Sequence, residues 1–275
     1  MPTRQQWLAA RRSSRAGPPP AGPGSPYGAA VRVLFVCTGN MCRSPLAERI
    51  LRARVTDTLG PELAATVSVA SAGLETRPDL PMDRHTAKIL TRAGLDSEGF
   101  RTRTFDRTLA EESDLVLAMT CRHRTTALAL APRTMRRTFT LIEASDLVRQ
   151  ADLTGLDQVP LAHRGAELAT RLQDCRARRP VNKLDDVPDP IGRSMRIHKD
   201  VARRVTAALQ PIADALLTGG AGEEPEPNVV ADVGGAPAVP SPLADRPPPE
   251  RRVDPHASVR HPNRQRGNTK SSGRR

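Results

Sequence analysis

Aromatic side chains are scarce in this chain of 275 residues, which has one Trp, one Tyr and four Phe. Proteins that bind single-stranded nucleic acid interleave aromatics with basic residues so that bases can stack. A nucleic-acid partner is therefore not expected, despite a formal net charge of +12. The arginines are scattered, and their charge reads as solvated surface. Long apolar runs are also missing, so no segment is expected to span a membrane. Arg11-Arg12 has the look of a twin-arginine signal, but Gly and Pro follow it where an apolar region would be needed. Cysteine is limited to Cys37, Cys42, Cys121 and Cys175. Without an export signal the expected compartment is the cytoplasm, where thiols stay reduced and a conspicuous cysteine is reactive rather than disulfide-bonded. His163, His198 and Cys175 are too scattered for metal-ligand spacing, and no metal or other cofactor is assigned.

Acidic residues are absent from positions 1–29, which end in a Pro/Gly run. From 219 to 275 there is no apolar periodicity. The 26 Pro and 19 Gly are concentrated at the two ends, which predicts one folded domain over 30–218 between a disordered basic leader and a disordered Pro/Gly/Arg-rich tail.

Within that domain, strand and helix patterns alternate. Val31 to Val36 (VRVLFV) reads as a buried strand, and Pro45 to Leu59 carries Leu46, Ile50, Ala53 and Val55 at helical spacing. Further strands are expected at Thr66 to Ala70, Asp114 to Met119 and Arg137 to Leu141. Further helices are expected at Asp83 to Ala93, closed by Gly94, and at Arg122 to Leu130, stopping before Pro132. A last helix over Ile197 to Leu217 places Val201, Val205, Ala208, Leu209, Ile212 and Leu216 on one face. This order predicts an α/β, doubly wound, four-stranded parallel sheet with helices on both faces, flavodoxin-like, whose ligand binds beyond the carboxyl ends of the strands.

The segment Cys37 to Ser44, CTGNMCRS, follows the first strand at that position. Phosphate is well bound by backbone N–H groups curled at a helix N-terminus. Gly39 and Asn40 tolerate the dihedrals such a curl needs. Ser44 is placed as the helix N-cap and Pro45 as the first helical residue. Thr38, Gly39, Asn40, Met41, Cys42, Arg43 and Ser44 are thus the candidate phosphate-binding residues. Cys37 would face the helix positive end and Arg43, both favouring thiolate over thiol, and Arg43 can grip two phosphoryl oxygens. The pair suits transfer of a phosphoryl group onto sulfur. The candidate general acid is Asp189 in DDVPDPIGRS, stiffened by Pro188 and Pro190, with Asp185 and Asp186 as rivals.

CTGNMCRSPLAE followed much later by DPIGR resembles the low molecular weight protein tyrosine phosphatases, as do SAG at Ser71 to Gly73 and DLVLAM at Asp114 to Met119. The resemblance covers about Val31 to Leu217. It implies Cys37 as a nucleophile forming a phosphocysteine, Arg43 as phosphate clamp and Asp189 as general acid. It also implies that Ser44 donates to the Cys37 sulfur, that Asn40 shapes the loop, and that Cys42 forms a protective reversible disulfide with Cys37. The implied partner is a phosphorylated protein, including the products of kinases; the oligomeric state is not specified.

Three features depart from that pattern. Ile191 and Gly192 follow the DP pair where tyrosine-specific members carry aromatics, Met41 stands where protein-arginine phosphatases have Thr, and Phe100 replaces a histidine. Residues 148–183, with a helix at His163 to Arg176, look inserted, either as a lid or partner surface or as a solvated excursion. The alternative activity is a protein-arginine phosphatase. An arsenate reductase would need two closely spaced downstream cysteines, and a non-catalytic phosphoprotein-binding module would lack a catalytic residue.

Overall fold

The computed structural model describes residues 31–179 and 185–218. The leader and tail expected at 1–29 and 219–275 lie outside the described residues, as does the end of the 148–183 segment.

Four strands form one sheet: β1 (Val31–Cys37), β2 (Val67–Gly73), β3 (Leu115–Ala118) and β4 (Thr138–Thr140). All neighbours are parallel, in the order β2-β1-β3-β4. The side-chain period of two sends β1 residues to alternate faces. Val31, Val33, Phe35 and Cys37 enter the larger core, while Leu34 and Val36 enter the smaller one. Both faces are covered, which is why β1 and β3 read as continuous apolar runs.

The larger core takes its helical side chains from five helices. These are α1 (Arg43–Ala64), α2 (Arg84–Arg92), α5 (Leu141–Val148), α6 (Leu161–Arg176) and α7 (Met195–Thr218). The smaller core is closed by Ala110 of α3 (Arg107–Glu111), Ala127 of α4 (Cys121–Leu130) and Ala131. Helix α1 is interrupted at Gly60, whose φ of 74° and ψ of 169° break the ladder one residue past the expected end. Asp83 caps α2 by accepting from the His85 and Thr86 N–H groups. Gly94, with a φ of 72°, lies just past its end as expected.

Helix α5 was not expected. Its signal is present in the sequence, since Thr140 and Glu143 form a capping box: the Thr140 hydroxyl accepts from Glu143 N and the Glu143 carboxylate from Thr140 N, both at 3.0 Å. The expected fourth strand shortens accordingly, and Leu141 becomes the first residue of α5. The short helix α3 and a 3₁₀ segment at Pro132–Arg137 were likewise not read from the sequence.

Helix α6 corrects the reading of residues 148–183 as a solvated excursion. Leu156, Leu168 and Leu172 are fully buried in the larger core. Gly165 lets α6 lie against the sheet: a Cβ there would come within 2.9 Å of Asp114 Cβ and 3.1 Å of Val31 Cγ1. Among the described residues no helix is long and apolar enough to cross a membrane.

Candidate active site

The segment after β1 turns sharply and runs straight into α1. The turn is made at Asn40, whose φ of 51° lies in the left-handed region that Asn tolerates. Gly39 does not adopt a left-handed φ. The helix starts earlier than expected. Cys42 is the residue before it, without a side-chain cap. Ser44 and Pro45 are its second and third residues rather than N-cap and first. The reason is visible in the Ser44 hydroxyl, which turns away from the helix end and lies 2.9 Å from Cys37 Sγ.

Asn40 is fully buried and holds the loop together. Its backbone N–H points at Cys37 Sγ, 3.3 Å away. Its amide donates to Ser44 Oγ at 3.0 Å and Ser71 Oγ at 2.8 Å, and its Oδ1 accepts from Arg103 N at 2.8 Å. Ser71 in turn donates to Glu48 Oε2 at 2.6 Å, and Glu48 pairs with Arg52. A buried polar chain of this kind is stable only when each member is satisfied. Here it ties the loop to β2 and to α1.

Gly73, the last residue of the SAG signature, is the strand partner of Cys37. A Cβ on Gly73 would meet the Thr38 carbonyl at 2.7 Å and the Thr76 side chain at 2.8 Å. The Leu74 and Glu75 N–H groups donate to the Cys37 and Thr38 carbonyls at 3.0 and 2.9 Å. Thr76 Oγ1 donates to the Gly39 carbonyl at 2.8 Å, and Asp83 N to the Met41 carbonyl at 3.0 Å. These contacts occupy loop carbonyls from outside, so the loop N–H groups can face inward.

Arg43 is 4% exposed, an unusual burial for a guanidinium and one that requires partners. Its Nη2 lies 2.5 Å from Asp189 Oδ2 and 3.4 Å from Thr38 Oγ1, and its Nη1 donates to the Val187 carbonyl at 3.1 Å. Its Nε is buried with no hydrogen-bond partner among the described residues. Asp189 therefore converges with Cys37 and Arg43, although 146 residues separate it from Arg43. Its rivals are committed elsewhere. Asp185 is buried and bound by Arg179 at 2.8 and 2.6 Å, and Asp186 accepts from Cys121 N at 2.7 Å.

His123 is a neighbour the sequence did not single out, because CRHR at the start of a helix reads as solvated surface. Its Nε2 is 2.8 Å from Thr38 Oγ1. Burial, and secondarily the Arg43 charge, push its pKa down to about 4. Cys42 is buried against α2. Desolvation is the main cause that pushes its thiol up to about 12, with a Thr86 hydrogen bond opposing and the Asp83 charge reinforcing. Cys42, Asp83 and His198 bring one potential metal-ligating atom each within 4.8 Å of one another. His198, set aside in the sequence as too remote, belongs to this group, whereas His163 and Cys175 do not. A metal there would have to displace the firmly held Cys42 proton, and Asp83 Oδ1 already caps α2. Phe100 is buried, with the Arg49 guanidinium 5.8 Å from its ring centroid.

Residues 32–157 match the model of the low molecular weight phosphotyrosine protein phosphatase family. The chain is 36% identical over 106 residues to the low molecular weight protein-tyrosine-phosphatase Etp of Escherichia coli K12, an alignment covering 38% of this chain and 66% of that one, just under two thirds of its length. It is 30% identical over 106 residues to a putative low molecular weight protein-tyrosine-phosphatase of Klebsiella pneumoniae, covering 38% of this chain and 67% of the relative. Among solved structures, a YwlE mutant from Bacillus subtilis superposes with a TM-score of 0.49 at 25% identity, covering 68% of this chain and 98% of that one. On the sequence matches, and with the CTGNMCRS loop assembled as described, the chain belongs to the low molecular weight phosphotyrosine protein phosphatase family.

Proposed function

We propose that this protein hydrolyses phosphotyrosine, or a related phosphoprotein or phosphomonoester, through a phosphocysteine on Cys37. The observation that carries the reading is the position of Arg43. Its buried guanidinium bridges the Cys37 loop and Asp189, and its Nε has no hydrogen-bond partner among the described residues. A phosphoryl group in the loop would take over that guanidinium together with the inward N–H groups of residues 38–44.

In the first step the Cys37 thiolate, held by the Asn40 N–H and the Ser44 hydroxyl, forms the S–P bond as the P–O bond to the leaving group breaks. Asp189, released from Arg43 by the substrate, takes up a proton from solvent and gives it to the leaving oxygen. In the second step water attacks phosphorus, Asp189 takes the water proton, and the S–P bond breaks to return the thiolate and free phosphate. Cys42 serves as redox partner. A peroxide oxidises Cys37 to the sulfenic acid, which condenses with the Cys42 thiol with loss of water. Four cysteines outside any disulfide suit the reducing cytoplasm, and a phosphorylated protein is the partner.

The test is turnover of an aryl phosphate, then of phosphotyrosine and phosphoarginine peptides. Cys37→Ser is expected to reduce aryl phosphate turnover to the buffer blank, and residual turnover at wild-type rate would overturn the mechanism. Faster release of phosphate from phosphoarginine than from phosphotyrosine peptides would move the substrate to the P–N bond while leaving the chemistry intact.

A further inference from the structure

The Asp189 segment is tied down at several points, and one of them comes from outside the residues matched by the family model. Arg179 lies just beyond the end of α6. Its side chain is 11% exposed, and it donates to both oxygens of Asp185 at 2.8 and 2.6 Å and to Asp146 of α5 at 2.6 Å. Asp185 is itself 2% exposed. A bidentate guanidinium–carboxylate pair fixes orientation as well as distance. Hydrogen bonding to Asp185 is also the main cause that pushes the Arg179 pKa upward.

Two residues further on, Val187 N donates to the Met119 carbonyl at 2.8 Å and the Val187 carbonyl accepts from Arg43. Pro188 and Pro190 restrict the chain around Asp189. A displacement at Asp185 is thus transmitted along a stiff segment. The strut is itself anchored: Arg176, the last residue of α6, reaches Glu143 of α5 at 2.8 Å and the Thr138 carbonyl at 2.7 Å, and Leu168 and Leu172 are buried along the helix.

We infer that Arg179 is a positioning residue for the general acid: through Asp185 it holds the Asp189 carboxyl over the Cys37 loop, and α6 with its following turn is the strut that carries it. This rests on the reading of Asp189 as the acid. An ion pair that only stabilised the fold would affect all substrates alike. A pair that positions the acid matters in proportion to how much the leaving group needs a proton.

The experiment compares phenyl phosphate, whose leaving oxygen is strongly basic, with 2,4-dinitrophenyl phosphate, whose leaving anion needs no proton. It uses the full chain as wild type, Arg179→Ala, Arg179→Lys, Asp185→Asn and Asp189→Ala. Arg179→Ala is expected to lower kcat/KM, which reports only the first step, on phenyl phosphate about 10- to 100-fold, the scale of an ångström-level misplacement. The dinitrophenyl ester and inhibition by inorganic phosphate should change less than about threefold, because the loop is untouched. Arg179→Lys keeps the charge but cannot form the fork and should recover only part of the loss, and Asp185→Asn should reproduce the Arg179→Ala pattern in weaker form, which keeps the test open if Arg179→Ala does not fold. Equal losses on both substrates, or no loss on phenyl phosphate, would overturn the proposal. If Asp189→Ala itself fails to separate the two substrates, the acid assignment falls and the Arg179 proposal falls with it. If Asp189→Ala separates them and the Arg179 and Asp185 variants do not, only the Arg179 proposal falls.

Discussion

The two halves of this site are held in different ways. The Cys37 loop is anchored mainly through one buried side chain: Asn40 alone meets Cys37, Ser44, Ser71 and Arg103. The Asp189 segment has no such hub. It hangs from Arg179 at Asp185, from the N–H of Cys121 at Asp186, from the Met119 carbonyl at Val187 and from Arg43 at Val187 and Asp189. A concentrated anchor fails when one residue is lost, whereas a distributed one yields by degrees. The loop must present several N–H groups to one anion at once, which favours the first arrangement. Under the proposed mechanism Asp189 must be reachable yet mobile enough to change partners, which favours the second.

The sharpest way to break the contrast is Asn40→Ala. It removes three side-chain hydrogen bonds, leaves buried polar groups to find new partners, and puts a Cβ without local hydrogen bonding at a left-handed position. A stability loss of about 2–4 kcal/mol and a fall in kcat of about 10²-fold on both good and poor leaving groups are expected. Asn40→Gly relieves the backbone but restores no bonds, so it should recover stability in part and activity little. Urea unfolding and steady-state rates check this. If Asn40→Ala cost no more than the loss of any single tie of the Asp189 segment, the loop would not depend on a hub.

A pH experiment probes the loop from behind. His123 touches Thr38, and its folded pKa is about 4 against an ordinary 6.5. Between those values the unfolded chain binds the proton and the folded chain does not, so stability is full above pH 6.5 and is lost as pH falls towards 4. At pH 5 the loss from this group is about 2 kcal/mol. Burial lowers the pKa of His198 as well and acts in the same direction. Urea midpoints at pH 7 and pH 5 should converge in His123→Gln relative to wild type. Parallel curves for the two proteins would show that His123 does not titrate with unfolding.

Gly165→Ala tests the strut without touching its charges. The added methyl meets Asp114 Cβ, an atom fixed to the backbone, so α6 must move off the sheet. The expected cost is about 1–2 kcal/mol in stability. Activity on phenyl phosphate should fall only as far as the shift reaches Arg179, by about two- to threefold, and an unchanged melting temperature would mean that α6 is not seated as described.

Much of the loop was legible because it is local. Strand, C-x5-R-S and a helix start lie within about fifteen consecutive residues, and Asn40 reads as tolerant of the left-handed turn it makes; the Ser44–Cys37 contact came only with the family resemblance, since the residues alone make Ser44 an N-cap, which it is not. The sheet was legible for a similar reason, since β1 and β3 are buried on both faces and read as plain apolar runs. What could not be read depends on tertiary partners. Nothing in CRHR marks His123 as buried beneath Thr38, and nothing in RARRP says that Arg179 rather than Arg178 finds Asp185. Asp189 was singled out by its flanking prolines and by the resemblance, with Asp185 and Asp186 left as rivals because all three sit in one acidic, Pro-rich stretch. In the fold each meets a different partner. Helix α5 is a different case: its capping box at Thr140 and Glu143 was present but was hidden by the apolar strand-like residues beside it.

The smallest expected effect belongs to Asp186→Ala, and it tests the distributed arrangement most directly. Asp186 Oδ1 accepts from the N–H of Cys121, the first residue of α4, where a carboxylate also faces the positive end of the helix. Its loss is expected to cost about 1 kcal/mol of stability, the scale of a helix-terminal hydrogen bond. The N-cap bond from His123 N to Thr120 Oγ1 at 3.1 Å remains, so α4 should stay formed. Asp185 and Val187, on either side of the deleted contact, keep their own ties, and kcat/KM on phenyl phosphate should drop less than about twofold, with dinitrophenyl phosphate unaffected. The combination with Arg179→Ala is then informative: two ties sharing one stiff segment should show a loss greater than the product of the single losses. Independent, multiplicative losses would mean that each residue stabilises its own neighbourhood and that the Asp189 carboxyl is placed by the prolines and Arg43 alone.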